Sequence, residues 1–364
     1  MMNWFEIKNI NELDTPALVV FPERVKHNIH KAIQMVGDVA RLRPHIKTHK
    51  SPDVVKLMME AGITKFKCAT ISEAEMLAIC NAPDVLLAYQ PSGPKLDRFV
   101  ELIKKFPATS FSCLTDNISA IEEQSKAFVK AGLEVSVFID LNVGMNRTGI
   151  SPNQEAIELF EHSKNLQGIK IVGLHAYDGH IRDKDYEIKK QKCEEAYGLV
   201  RKLNEQLKLA VIVMGGSPAF SVHSKNANVE CSPGTFIYWD KGYSDLCPEQ
   251  NFLTASVLVT RVISLPSKNI ICTDLGHKSV ASENEISKRI YFLNTKELKP
   301  IGHSEEHFVL ETDEKNKYEV GDVLYGLPYH ICPTVALYER VFTIENGLKT
   351  SEWKNIARDR FISI

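Results

Sequence analysis

Five short stretches of this chain carry side chains whose types and spacing suit chemistry. RLRPHIKTHKSP gathers His45, Lys47, His49 and Lys50 just ahead of a proline. Such a basic cluster is more often a solvated face. Lys47, however, ends an apolar run, and a desolvated lysine has a lowered pKa and forms a Schiff base with an aldehyde. VIVMGGSPAF supplies Gly215, Gly216 and Ser217, where backbone can approach a ligand closely and consecutive N–H groups with a hydroxyl suit a phosphate. A lone turn of this kind is weak. Joined to an aldehyde-binding lysine, it points to pyridoxal phosphate, an aldehyde with a phosphate handle. GLHAYDGHI offers Tyr177 as an aromatic wall for a cofactor ring and His180 as an acid–base group, against the plainer account of a buried, satisfied tyrosine. DLNVGMNRTG adds Arg147, a permanent cation with a planar fork, or simply a surface arginine. In LPYHICPTV, His330 and Cys332 share a face if the segment is extended, and both are good ligands for a borderline-soft ion. Two ligands cannot close a structural zinc site, so such an ion keeps positions open for water or a substrate oxygen. On spacing alone the pair is a chance juxtaposition more often than a metal site.

Something must bring these groups together. Short β-rich runs near 39–47, 65–70, 85–90, 109–114, 134–141, 169–177, 211–216 and 235–240 alternate with helical patterns. VSVFIDL, IKIVGL and AVIVM are continuous apolar runs, as in strands covered on both faces. Ser51 and Pro52 open one helix, and Ser72 with Glu75 reads as a capping box for another. Eight β-then-α units close most naturally into a (β/α)8 barrel of the TIM type, whose chemistry sits at the carboxyl ends of its strands. Lys47, Arg147, Tyr177, His180 and the Gly215–Ser217 turn all fall at such ends, with the phosphate turn after the seventh strand. Beyond about residue 250 strands follow one another through short turns, as in a mostly antiparallel β domain. The reading is therefore a barrel over 12–248 and a β domain over 249–364, with residues 1–11 free to pack with the latter.

Composition narrows the class. The 364 residues carry 44 Lys+Arg against 46 Asp+Glu, a formal net charge of -2, so no global field favours nucleic acid or an anionic membrane. No apolar run reaches the ~20 residues of a membrane span. The 8 cysteines are scattered without a CxxC, which fits a reduced, cytoplasmic protein.

RPHIKTHK, SEAEM, MNRTG, GLHAYDGH, MGGSPAF, SPGTFIYWD, the SEEH at 304–307 and PYHICPTV, in that order from about Thr15 onward, resemble the D-threonine aldolase/D-serine dehydratase family. Those enzymes are pyridoxal-phosphate proteins with an alanine-racemase-like barrel. The resemblance implies that Lys47 carries the cofactor and that Arg147 lies near its phenolic oxygen. It puts Tyr177 near the ring and Gly215, Gly216 and Ser217 near the phosphate. It makes His330 and Cys332 ligands of a divalent metal (zinc, manganese or magnesium). It also implies a homodimer in which the partner's β domain completes each active site. Several relatives carry Thr, Tyr and Asp where Ser217, Phe236 and Cys332 stand, and a His/Cys pair resembles the zinc-dependent dehydratases more than the aldolases.

The implied substrate is a β-hydroxy D-amino acid. If His180 removes the hydroxyl proton, the Cα–Cβ bond breaks to give glycine and an aldehyde. If Lys47 removes the α-proton, hydroxide leaves and a keto acid and ammonia form, as from D-serine or D-3-hydroxyaspartate. The aldolase stands first because His180 accompanies the metal pair, and the dehydratase follows on Cys332. A racemase or a non-catalytic pyridoxal-phosphate carrier is more distant.

Overall fold

The computed structural model describes residues 3–295, 297–313 and 317–364. It divides into two compact units. A β unit comprises the chain up to Ile29, Thr48–Asp53 and Thr235–Arg358; a barrel unit comprises His30–Lys47, Val54–Gly234 and Asp359–Ile364. The first strand, β1 (Ala17–Val20), pairs within the β unit. The amino-terminal share of that unit thus runs to Ile29, beyond the residues 1–11 expected, and its return begins at Thr235 rather than 249.

Seven parallel strands form the barrel sheet in chain order: β2 (Lys65–Cys68), β3 (Asp84–Leu87), β4 (Ser110–Thr115), β5 (Val135–Leu141), β6 (Ile169–Ala176), β7 (Val211–Met214) and β8 (Glu230–Cys231). Leu86, Leu114, Phe138 and Val213 pack together as an apolar cluster of this unit. Helices alternate with the strands as the sequence periodicity requires, the longest being Tyr186–Leu207. The helix Ile71–Ile79 is capped two residues earlier than expected: Thr70 accepts from the Glu73 amide at 3.1 Å, and the Glu73 carboxylate accepts from Ala69 N at 2.6 Å. Glu73, not Glu75, closes the box, leaving Glu75 to accept from Ser363.

Two expected strands take other forms. Residues 39–47 are not a strand but two 3-10 turns, Val39–Arg41 and Ile46–Thr48, flanking a stretch that bridges β8 and β2 through Leu42–Cys231 and His45–Lys67. Pro44 has no N–H to donate, so only Arg43 and His45 donate toward Cys231 and Pro233 (2.8 and 2.9 Å), while Lys67 N donates to Pro44 O at 2.8 Å. The buried Arg43 secures this seam, bonding Asp84 Oδ1 at 2.6 Å and Glu230 Oε2 at 2.9 Å. Residues 235–240 begin with a 3-10 turn, Thr235–Ile237, in the β unit; the barrel's last strand is the two-residue β8, ended by Pro233 and Gly234.

The β unit is a mixed, mostly antiparallel sheet. β1 lies between β9 (Ser256–Ser267), antiparallel, and β15 (Arg340–Glu345), parallel. The sheet continues from β9 through β10 (Ile270–Thr273) to β13 (Phe308–Glu311) and β12 (Lys299–His303), and from β15 to β16 (Leu348–Lys354). β11 (Ile290–Phe292) and β14 (Val323–Pro328) pair beside β9. Phe5, Val19, Phe21, Val257, Tyr325 and Ile344 belong to its core. Among the described residues no helix is long and apolar enough to cross a membrane.

Candidate active site

Lys47 sits in the Ile46–Thr48 turn at the end of the seam, half-buried, where a cavity of about 560 Å³ opens within the barrel unit. Its walls include Lys67, Asp140, Arg147, His175 and Tyr177. The Lys47 ammonium lies 5.9 Å from the centre of the Tyr177 ring and the Arg147 guanidinium carbon 4.9 Å from it, both within the range of a cation over an aromatic face. Three of the residues expected from the sequence therefore meet in one cavity.

The phosphate-type turn stands behind the tyrosine. Gly215 has φ +72°, and a Cβ there would lie 2.8 Å from His223 Cβ, so both its conformation and its surroundings demand glycine. A Cβ on Gly216 would lie 2.7 Å from Tyr177 Cε2; the ring rests directly on bare backbone. Ser217 is buried, its Oγ accepting from Gly234 N at 3.2 Å.

His180 is not brought to the cavity. It is exposed, its ring stacked over Gly144, and it lines a separate groove of about 450 Å³ with Val143, Ile181 and Lys192. The preceding Asp178 turns inward, where Oδ2 meets His223 Nε2 at 2.7 Å in full burial. That turn leaves His180 facing outward. Asp178, Cys193 and His223 place one ligand atom each within 4.8 Å of one another, so this buried trio can also hold a metal ion.

Sequence reasoning missed Lys67, His175 and Asp140 as a unit. Lys67 Nζ lies 3.4 Å from His175 Nε2, and His175 Nδ1 lies 2.6 Å from Asp140 Oδ1, all three buried. Burial, then the Lys47 ammonium, drives the Lys67 amine down to about 7, against the pull of Asp140 and Asp178. Burial and then Lys67 likewise lower His175, against Asp140. The signal available was a lysine inside a short barrel strand, KFKC, where one face must be the lumen.

In the β unit, His330 caps the short helix Ile331–Val335, and Asp240 Oδ2 accepts from Ile331 N at 3.0 Å. Glu283 bonds His330 Nδ1. Cys332 Sγ lies 3.2 Å from Thr48 Oγ1 and 3.7 Å from Thr235 Oγ1. Burial disfavours the charged imidazole, but the Cys332 sulfur and the Glu283 carboxylate outweigh it and push His330 up to about 9. Burial acts to raise Cys332, yet His330 and the Thr48 hydroxyl bring its thiol below the ordinary value. A cysteine sulfur beside a histidine ring whose other nitrogen is held by a carboxylate is a donor set suited to a borderline-soft divalent ion.

Comparison with known proteins agrees with this architecture. Residues 21–242 match the alanine racemase N-terminal domain, and residues 255–344 match the serine dehydratase domain. The 3-hydroxy-D-aspartate aldolase of Paracoccus denitrificans (strain Pd 1222) is 26% identical over 96% of this chain and 93% of its own length. The D-serine dehydratase of Dictyostelium discoideum is 23% identical over 93% of this chain and 95% of its own. The crystal structure of D-threonine aldolase from Filomicrobium marinum superposes with a TM-score of 0.87 at 24% identity, covering 95% of this chain and 96% of that one, which establishes a common fold.

Proposed function

Because the chain belongs to the family defined by the alanine racemase N-terminal domain, we propose that it is a pyridoxal-phosphate- and divalent-metal-dependent lyase of β-hydroxy D-amino acids, acting foremost as an aldolase that releases glycine and an aldehyde. The observation that carries this reading is the cavity shared by Lys47, Arg147 and Tyr177. Its residues fit a phosphorylated aromatic aldehyde. There is an amine for the carbonyl, a fixed cation and a flat ring, and the ring rests on a glycine turn in which a Cβ at Gly216 would occupy the space. Lys47 Nζ would hold the cofactor, Gly215, Gly216 and Ser217 its phosphate, Arg147 its phenolic oxygen and Tyr177 its ring face. Pyridoxal phosphate supplies an electron sink for the pair left at Cα when a bond to that carbon breaks.

His330 and Cys332 would hold the metal, with Glu283 fixing the imidazole; sulfur in the set favours zinc over manganese or magnesium. Such an ion polarises a substrate hydroxyl. Within the barrel unit, Arg147 and Lys47 set positive charge around the Tyr177 ring, which favours an anionic substrate and fixes its orientation. The hydroxyl proton is not assigned to His180, whose exposed ring lies outside the cavity.

A second reading, the dehydratase, draws on two observations. The metal-type pair contains Cys332 with a thiol brought below its ordinary value. The cavity also holds amines able to take an α-proton. The Paracoccus and Dictyostelium relatives represent the two outcomes. We also propose a homodimer, measurable by light scattering. The 8 free cysteines fit a cytoplasmic, reducing location.

Purified protein with pyridoxal phosphate is offered D-threonine, D-3-hydroxyaspartate and D-serine separately, with and without a chelator. Glycine plus an aldehyde, lost on chelation, is expected. Keto acid and ammonia instead establish the dehydratase, and inertness toward all three overturns both.

A further inference from the structure

Lys67 is an amine that the aldolase chemistry above leaves without a particular role. It stands mid-strand in β2, is 3% exposed, and lines the Lys47 cavity. A purely structural buried ammonium is expected to sit on a carboxylate. Lys67 instead meets an imidazole, His175 Nε2, at 3.4 Å. Asp140 Oδ1, 2.6 Å from His175 Nδ1, accepts that nitrogen's proton, which leaves the lone pair on Nε2 to accept from Lys67 Nζ. A carboxylate, an imidazole and an amine thus form one hydrogen-bonded chain along the cavity wall. Such a chain can load or unload a proton at its amine while the imidazole and the carboxylate stay hydrogen-bonded.

We propose that Lys67 is a second functional amine of this cavity, exchanging a proton with Cα of the amino acid bound there, while His175 and Asp140 act as positioning residues that hold its nitrogen in place. This deepens the lyase reading and rests on it. In the cleavage direction the electron pair of the broken Cα–Cβ bond remains with the glycyl fragment. Nζ–H delivers a proton to that pair, the new C–H bond forms, and the ammonium becomes an amine. In reverse, neutral Nζ takes a proton from glycine Cα. The charged and titratable groups around Lys67 are Arg43 and Lys47 from the seam, Asp140 from β5, and His175 and Asp178 from β6 and the turn beyond. Burial and the nearby cations outweigh the carboxylates, so both protonation states are accessible near neutral pH.

Two measurements decide it. In the cofactor-free protein labelled with carbon-13 lysine, the Lys67 signal is identified by its loss in Lys67→Met, and its chemical shift is followed against pH. Titration near neutrality, displaced in Asp140→Asn, is expected; titration with ordinary lysines near ~10.4 overturns the proposal. In the cofactor-loaded protein, exchange of glycine Cα hydrogen for solvent deuterium is expected to fall about 100-fold or more in Lys67→Met, with cofactor absorbance retained. Unchanged exchange, or loss of cofactor from Lys67→Met, overturns it. If the native protein takes up no cofactor, the lyase reading fails and the Cα step with it, while the titration still decides separately whether Lys67 is tuned by Asp140.

Discussion

His175 in the barrel unit and His330 in the β unit both lean on a carboxylate, yet their environments push them in opposite directions. His175 is buried, and Lys67 lies against it, so the charged form is disfavoured although Asp140 is 2.6 Å away. His330 also suffers from burial, but Cys332 and Glu283 together more than offset it. One ring is kept neutral, with a lone pair free to accept a hydrogen bond; the other is favoured in its charged form beside a sulfur. Burial therefore does not fix the state of a histidine; the sign of the nearest second partner does. The barrel unit is suited to moving protons, and the β unit to holding charge where an ion can replace it.

The sharpest way to break this contrast lies on the barrel side. Lys47→Ala is expected to abolish cofactor attachment, so that borohydride reduction and peptide mass spectrometry find no pyridoxyl-lysine, with turnover down by at least about 10³-fold. Attachment found instead at Lys67 would exchange the roles of the two amines. Cys332→Ala tests the other unit: bound metal is expected to be lost and turnover to drop roughly 10²-fold, with cofactor absorbance intact, and chelation of the native protein is expected to have the same effect. Full activity in a metal-free preparation would remove the ion from the mechanism.

A smaller effect sharpens the account of Lys67. Its pKa in the fold, about 7, lies below the ordinary 10.5, so between these values the unfolded chain binds more protons than the native one. Native stability should consequently rise with pH across that window, and the advantage of Lys67→Met should be greatest near pH 7 and shrink toward pH 10. Urea midpoints of the two proteins measured across the range check this; a constant difference would mean the amine is unperturbed. The smallest effect is expected at His180→Ala, whose turnover should stay within about twofold of native, as for a surface change. A tenfold loss would return that histidine to the chemistry.

Much of this was legible in the sequence, for reasons that differ from residue to residue. The alternation of apolar runs and capped helices specifies the barrel because strands covered on both faces must be continuously hydrophobic, as VSVFIDL is. Arg147 and Tyr177 were recognisable because they follow the ends of β5 and β6, where the fold places its openings, and Lys47 because it closes an apolar run. The seam was not, since Pro44 removes the donor that a ladder needs while leaving the surrounding composition strand-like. His180 misled because spacing does not reveal that Asp178 turns inward to His223. Lys67 was overlooked because a lysine in KFKC reads as the solvent side of an amphipathic strand, and only barrel geometry turns that side inward.

The seam has a further consequence, for the order in which the barrel comes apart. Neighbouring strands such as β5 and β6 are joined by a ladder of seven residue pairs with one irregularity, whereas β8 and β2 are joined through the seam by two isolated bridges and by the ion pairs of Glu230 with Arg43 and Lys65. Regions with few ladder bonds open at lower free energy than the global unfolding. Amide exchange should therefore begin at Arg43 and His45 while β5 and β6 remain closed. The barrel would unzip from its seam, so Lys47, which ends it, would lose its fixed position before the hydrophobic interior was exposed to water.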